Sequence, residues 1–146
     1  MATAEALKNG LISDDILSYY DVKTRGGYLA LAIVEHSYVH FPGKASDRQI
    51  STASDDMIPG LRKLAATFHK NQVKAAMQLN HAGSAAPGQC VGPSPLPHPL
   101  RQTVPAQLSQ DQIKEIVSAF QHAALRVKTA GFDAVEIHAA HGYLLN

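Results

Sequence analysis

Cysteine, surplus charge and long apolar runs are what this 146-residue chain has least of, and each shortage removes a class of protein. A single cysteine, Cys90, leaves no intramolecular disulfide framework. Thirteen basic against 12 acidic side chains give a formal net charge of +1. Nucleic acid and anionic membrane surfaces are therefore not expected partners. No apolar stretch approaches the ~20 residues that span a bilayer. Glu5, Lys8, Asp14 and Asp15 interrupt any signal-peptide core near the start. What remains is a chain with 45% hydrophobic residues, enough for one domain with a real core. The expectation is a soluble cytoplasmic protein.

Helical and strand patterns alternate along it, without a repeat or low-complexity tract. Ser13 can cap a helix that opens on Asp14 and Asp15, acids at the positive end of the dipole, and runs to Gly26-Gly27. The apolar run Tyr28 to Val34 fits a strand covered on both faces. Ser54 is the next expected N-cap, followed by a stripe of Ile58, Leu61, Leu64, Ala65 and Phe68 at helical spacing. Val73 to Leu79 reads as the second strand. The Pro- and Gly-rich segment from Ser84 to Leu108 is too long for a bare connector and reads as a covering or functional loop. Ser109 and Gln112 form a capping-box pattern before a stripe of Ile113, Ile116, Val117, Phe120, Ala124 and Val127. Ala130-Gly131 ends that helix, and Ala134 to Ile137 is the third strand. Strands are expected near 29–35, 73–79 and 133–138, and helices near 14–25, 55–70 and 110–130. Such alternation predicts right-handed βαβ units and a parallel sheet. Periodicity alone leaves an open doubly wound sheet and a closed barrel both standing.

Each strand runs into polar side chains at its carboxyl end: Glu35-His36-Ser37, then Gln78 with His81, then His138, His141 and Tyr143. That placement fits the barrel rule, under which chemistry sits at the C-terminal strand ends. Read alone, the residues keep bland meanings: Gln78 a solvent-facing amide, Tyr143 a half-buried phenol, Asn80, His81 and His122 ordinary polar residues, Cys90 a loop thiol. A metal reading of the His138/His141 pair lacks a third ligand nearby in the sequence.

Val135-Glu136-Ile137-His138-Ala139-Ala140-His141-Gly142-Tyr143-Leu144 resembles the signature of the Old Yellow Enzyme family of FMN-dependent NADH:flavin oxidoreductases and ene-reductases, and of the related 2,4-dienoyl-CoA and 2-enoate reductases. Ala32 to Ser37 and Met77 to Gly83 agree in order and spacing, and Val91-Gly92-Pro93-Ser94 is similar to a later family loop. The resemblance covers essentially the whole chain. It implies a (βα)8 barrel that binds FMN across its strand ends and takes hydride from NADH or NADPH. The substrate it implies is a small α,β-unsaturated carbonyl compound. Matched residue by residue, His138 and His141 hold the substrate's carbonyl oxygen and Tyr143 is the proton donor. Gln78 contacts the flavin pyrimidine ring, and His36 lies against the flavin through its backbone. Hydride arriving at the β-carbon drives charge onto that oxygen, where imidazole N–H donors stabilise it, while a phenol protonates the α-carbon.

Set against a full barrel of ~250 residues, residues 1–146 are expected to be a partial FMN-binding barrel domain carrying strands two to four, without the first strand and the C-terminal half. The loops that grip a cofactor phosphate are then missing, so the chain alone is expected to hold FMN weakly or not at all. Open sheet edges leave room for a homo-oligomer or a complementing C-terminal half-barrel. A non-catalytic α/β fragment or pseudoenzyme that pairs with another chain stays open beside the enzyme.

Overall fold

The computed structural model describes residues 2–97 and 103–146. Its three expected helices are α1 (Asp14–Thr24), α2 (Ile58–Lys70) and α3 (Gln110–Ala130). The three expected strands are β1 (Leu31–Tyr38), β2 (Lys74–Asn80) and β5 (Ala134–Ile137). They form one sheet in the order β1-β2-β5 with both pairings parallel. Chain order and spatial order coincide, as in successive staves of a βα barrel, and the fold is a segment of such a barrel. No helix among the described residues is long and apolar enough to cross a membrane.

Local sequence explains most boundaries. Ser13 Oγ accepts the Ile16 N–H at 3.2 Å and starts α1. Ser109 and Gln112 close the reciprocal capping box of α3, and Gly131, with φ of +97°, stops it in the left-handed conformation that glycine adopts without a Cβ clash. Ser54 departs from expectation. It precedes a short 3₁₀ turn, Asp55–Met57, without a side-chain cap, and α2 begins only at Ile58 with Pro59 in its first turn. Asp55 is drawn aside by Arg126 of α3, whose Nε lies 2.6 Å from its carboxylate. Inside the loop after β2, two short parallel strands, β3 (Val91–Gly92) and β4 (Ala106–Gln107), add a small second sheet that hydropathy does not signal.

The three helices cover one face of the sheet. Val34 of β1 and Ala75, Met77 and Leu79 of β2 meet Ile16, Tyr20, Leu61, Leu64, Phe68, Ala123 and Val127 in one core. The other face is open. Leu31 and Ile33, expected to be covered on both sides, are exposed there. At the far edge Val135 and Ile137 stand opposite Met77 and Leu79 yet are also exposed, with no helix among the described residues packed over them. The α3 stripe likewise shifts: Ile116, Ala123, Val127 and Ala130 are buried, whereas Ile113 and Val117 face out.

Phe68 is fully buried, its ring centroid 5.2 Å from that of Tyr20, where α1, α2 and β2 meet. Phe68→Ala is expected to cost about 3–5 kcal/mol, comparable to the whole stability of a small domain. Urea unfolding checks this: the midpoint should collapse, and a loss below about 1 kcal/mol would show that the core is not centred on this ring.

Candidate active site

Parallel pairing in register brings the carboxyl ends of β2 and β5 to one level. Gln78 stands opposite Glu136, and the strand ladder continues as the His138 N–H donates to the Leu79 carbonyl at 2.9 Å. β5 ends at Ile137, and the chain then turns. His141, with φ of +60°, and Gly142, at +69°, are both left-handed; histidine tolerates that region better than branched residues do. The turn folds His141 back beside His138, ring centroids 5.2 Å apart and nearly perpendicular, with Tyr143 5.1 Å from His138 on another side. On a continuing strand the two imidazoles would face opposite ways.

The loop holds its place through β2. The Leu144 N–H donates to the His81 carbonyl at 3.1 Å, and His81 Nδ1 accepts the Gly83 N–H at 3.1 Å. Gly83, at φ +58°, lies so close that a Cβ there would stand 2.8 Å from Leu144 Cα. His81 itself is buried, and a Cβ on Gly43 would strike its ring. His81 and Asn80, which sequence treats as ordinary polar residues, are thus parts of the framework.

All five residues that the sequence proposed, His36, Gln78, His138, His141 and Tyr143, line one cavity of about 370 Å³ at this end of the sheet. Ala2, Ile33, Val34, Glu35 and Glu136 complete the lining. Glu35 and Glu136 were missed, although an acid inside an apolar strand was the available signal. Gln78, which lines the cavity, donates through Nε2 to Glu136, and its amide oxygen and second N–H have no partner among the described residues. Glu35 is engaged elsewhere: its carboxylate accepts from Thr3 N at 2.8 Å and Thr3 Oγ1 at 3.1 Å, and its backbone N–H donates to the buried Tyr20 hydroxyl at 2.9 Å. Burial foremost raises the Tyr20 phenol above its ordinary range.

Burial also pulls the imidazoles of His36 and His138 below their ordinary pKa, with a like contribution to His138 from His141. Both rings therefore favour the neutral form, which retains one N–H donor each. Neither the rings of His138 and His141 nor the Tyr143 hydroxyl has a hydrogen-bond partner among the described residues, so their donors are available to a ligand.

The family model described as "NADH:flavin oxidoreductase / NADH oxidase family" matches residues 1–146. An NADPH dehydrogenase of Listeria monocytogenes serotype 4a is 39% identical over 141 residues, covering 95% of this chain and 41% of that protein. One from Listeria welshimeri is 38% identical over the same length. The chain thus spans about two fifths of the length of these curated relatives. Among solved structures, the old yellow enzyme homologue from Zymomonas mobilis superposes with a TM-score of 0.89 at 25% identity, over 99% of this chain and 44% of that one. Morphinone reductase in complex with tetrahydroNAD gives 0.85 at 25% identity, over 94% and 43%.

Burial, and then His40, lowers the His81 imidazole to about 4 from an ordinary 6.5. The unfolded chain protonates this ring first as pH falls, so its contribution is intact above 6.5 and lost progressively down to about 4. The loss is on the order of 3 kcal/mol. Melting temperatures at pH 7 and pH 4.5 should differ accordingly. His81→Asn, which keeps an acceptor for Gly83, should flatten the difference; an unchanged slope would move the acid sensitivity to another group.

Proposed function

The chain belongs to the NADH:flavin oxidoreductase / NADH oxidase family, and on that premise we propose that it carries the flavin-ring and substrate-carbonyl half of an FMN-dependent NAD(P)H oxidoreductase acting on activated alkenes. The observation that carries this reading is the convergence of Gln78, His138, His141 and Tyr143 on one cavity, with the His and Tyr donors unengaged.

The lining fits part of the cofactor. Gln78, aimed by Glu136, offers one donor and one acceptor, the pattern needed at the mixed edge of a flavin pyrimidine ring. The His36 backbone and the apolar Ile33 and Val34 form the adjoining wall. No Lys or Arg is among the lining residues, so these groups hold the ring and not the phosphate. When bound, FMN supplies the hydride, taken from NADH or NADPH.

The protein's own residues do the rest. His138, held neutral chiefly by burial, and His141 beside it direct N–H donors at one carbonyl oxygen of an α,β-unsaturated substrate and stabilise the charge that develops there. Such donors act strongly because they are set in place before the reaction. Tyr143, packed edge-on against His138, is positioned to pass its phenolic proton to the α-carbon. Val135, Ile137 and the α3 residue Leu125 form an exposed apolar edge where a following βα unit, in this polypeptide or another, would pack.

Tyr143→Phe is expected to slow alkene reduction about 100-fold or more while flavin reduction by NAD(P)H continues at a similar rate, because only the second half-reaction needs the proton. Rapid-mixing measurement of the two half-reactions separates them, and equal losses in both would remove Tyr143 from this role. His138→Ala should weaken binding of a phenolate ligand by roughly 100-fold, the scale of one lost oxyanion donor. Absorbance titration reads this directly, and unchanged affinity would exclude His138 from the oxygen site.

A further inference from the structure

In the reading above His36 takes part through its backbone, which leaves its side chain unexplained. On an unbroken strand Glu35 and His36 would face opposite sides of the sheet, yet both line the same cavity. The register between β1 and β2 slips by one residue between Val34 and Ser37, which makes a bulge. Bulges beside active sites re-aim a side chain. Ser37 steadies this one, its hydroxyl donating to the Glu35 carbonyl at 3.0 Å.

The re-aimed ring is held from behind by two amides that are themselves buried, Gln49 at 2% exposure and Asn80 at 0%. Gln49 Nε2 lies 3.0 Å from His36 Nδ1, and Asn80 Nδ2 lies 3.2 Å from it. The orientation of Gln49 is fixed independently: its Oε1 accepts the Ala45 N–H at 2.6 Å, and its Nε2 also donates to the His36 carbonyl at 3.1 Å. An amide N–H directed at Nδ1 requires a lone pair there. The ring proton therefore sits on Nε2, on the side away from the amides, where it has no partner among the described residues. From there the ring lies nearly parallel to Tyr143 at 5.8 Å and edge-on to His138 at 6.3 Å. With Nδ1 taken by the amides, Nε2–H is the one donor this ring can offer to the cavity.

We propose that His36 presents Nε2–H as a third hydrogen-bond donor of the site, and that it takes a second acceptor oxygen of the substrate, so that alkenes flanked by two carbonyl-type groups are preferred to those with one. The need for a second oxygen follows from valence. A carbonyl oxygen has two acceptor sites, and His138 and His141 fill both in the functional reading on which this proposal rests.

Two measurements decide it. Long-range ¹⁵N–¹H NMR of the histidine-labelled protein, without cofactor or substrate, reads the tautomer. His36 protonated on Nε2 at neutral pH is expected; an Nδ1–H ring or an even mixture overturns the proposal. In the FMN-loaded protein, His36→Phe keeps an aromatic ring against Tyr143 and removes the donor. The ratio of kcat/KM for cyclohex-2-ene-1,4-dione to that for cyclohex-2-enone should then fall about tenfold, the size of one lost hydrogen bond. An unchanged ratio overturns the proposal, as does weakened FMN binding with the ratio intact, which would assign the donor to the flavin. Failure to bind FMN at all, or to reduce either ketone, would strike the functional reading instead, and the NMR result would still judge the His36 donor.

Discussion

The parallel register of the central strand is the constraint on which the rest of this structure depends. β2 is bonded on both sides, to β1 and to β5, and it fixes where each neighbour ends. Asp133 pins the start of β5: its carboxylate accepts the Ala75 N–H at 2.9 Å and meets Lys74 and His69 at 2.8 Å each. Those partners, the Ala75 N–H first, hold its carboxyl well below the usual range. With the start pinned, four residues of strand carry Glu136 to the level of Gln78 and deliver His138 just past Leu79. A slip of one residue would turn Glu136 to the helix side and separate Gln78 from its partner.

The site that results is built in two rows. The front row is unengaged: His138, His141, the Tyr143 hydroxyl and the outer edge of Gln78 have donors or acceptors facing the cavity. The back row is saturated or buried. Glu136 aims Gln78, Gln49 and Asn80 orient His36, and His81 joins the loop after β2 to the loop after β5. Burial serves both rows, because the desolvation that lowers the imidazole pKa keeps His36 and His138 as neutral rings with a single N–H each. Donors held in this way need little rearrangement when charge develops on a bound oxygen.

Much of this was legible in the residues themselves. Helical stripes such as Leu61, Leu64, Ala65 and Phe68, together with the caps at Ser13 and Ser109, located the elements, because local periodicity and capping are encoded locally. The convergence of His138, His141 and Tyr143 was legible because the three lie in one contiguous stretch after a strand end. What could not be read depends on contacts remote in sequence. The β1 bulge arises from a mismatch with β2 some 40 residues away, so period-two reasoning misplaces the His36 side chain. Gln49 and Asn80 gain their role only when folding brings them behind that ring. Ser54 looked like a cap, but the pull of Arg126 on Asp55 is a tertiary effect. The apolar run at Leu31 and Ile33 locates a strand of the parallel sheet, but the cover it suggests on both faces is absent, because one face of the sheet is open.

At the centre of the account is the claim that this chain recognises the ring of a flavin and not its phosphate. Titrating residues 1–146 with riboflavin and with FMN, and following the quenching of flavin fluorescence, tests it most directly. Equal affinity for the two, weakened alike by Gln78→Ala, is the predicted result. FMN held far more tightly than riboflavin, or no quenching with either, would contradict it.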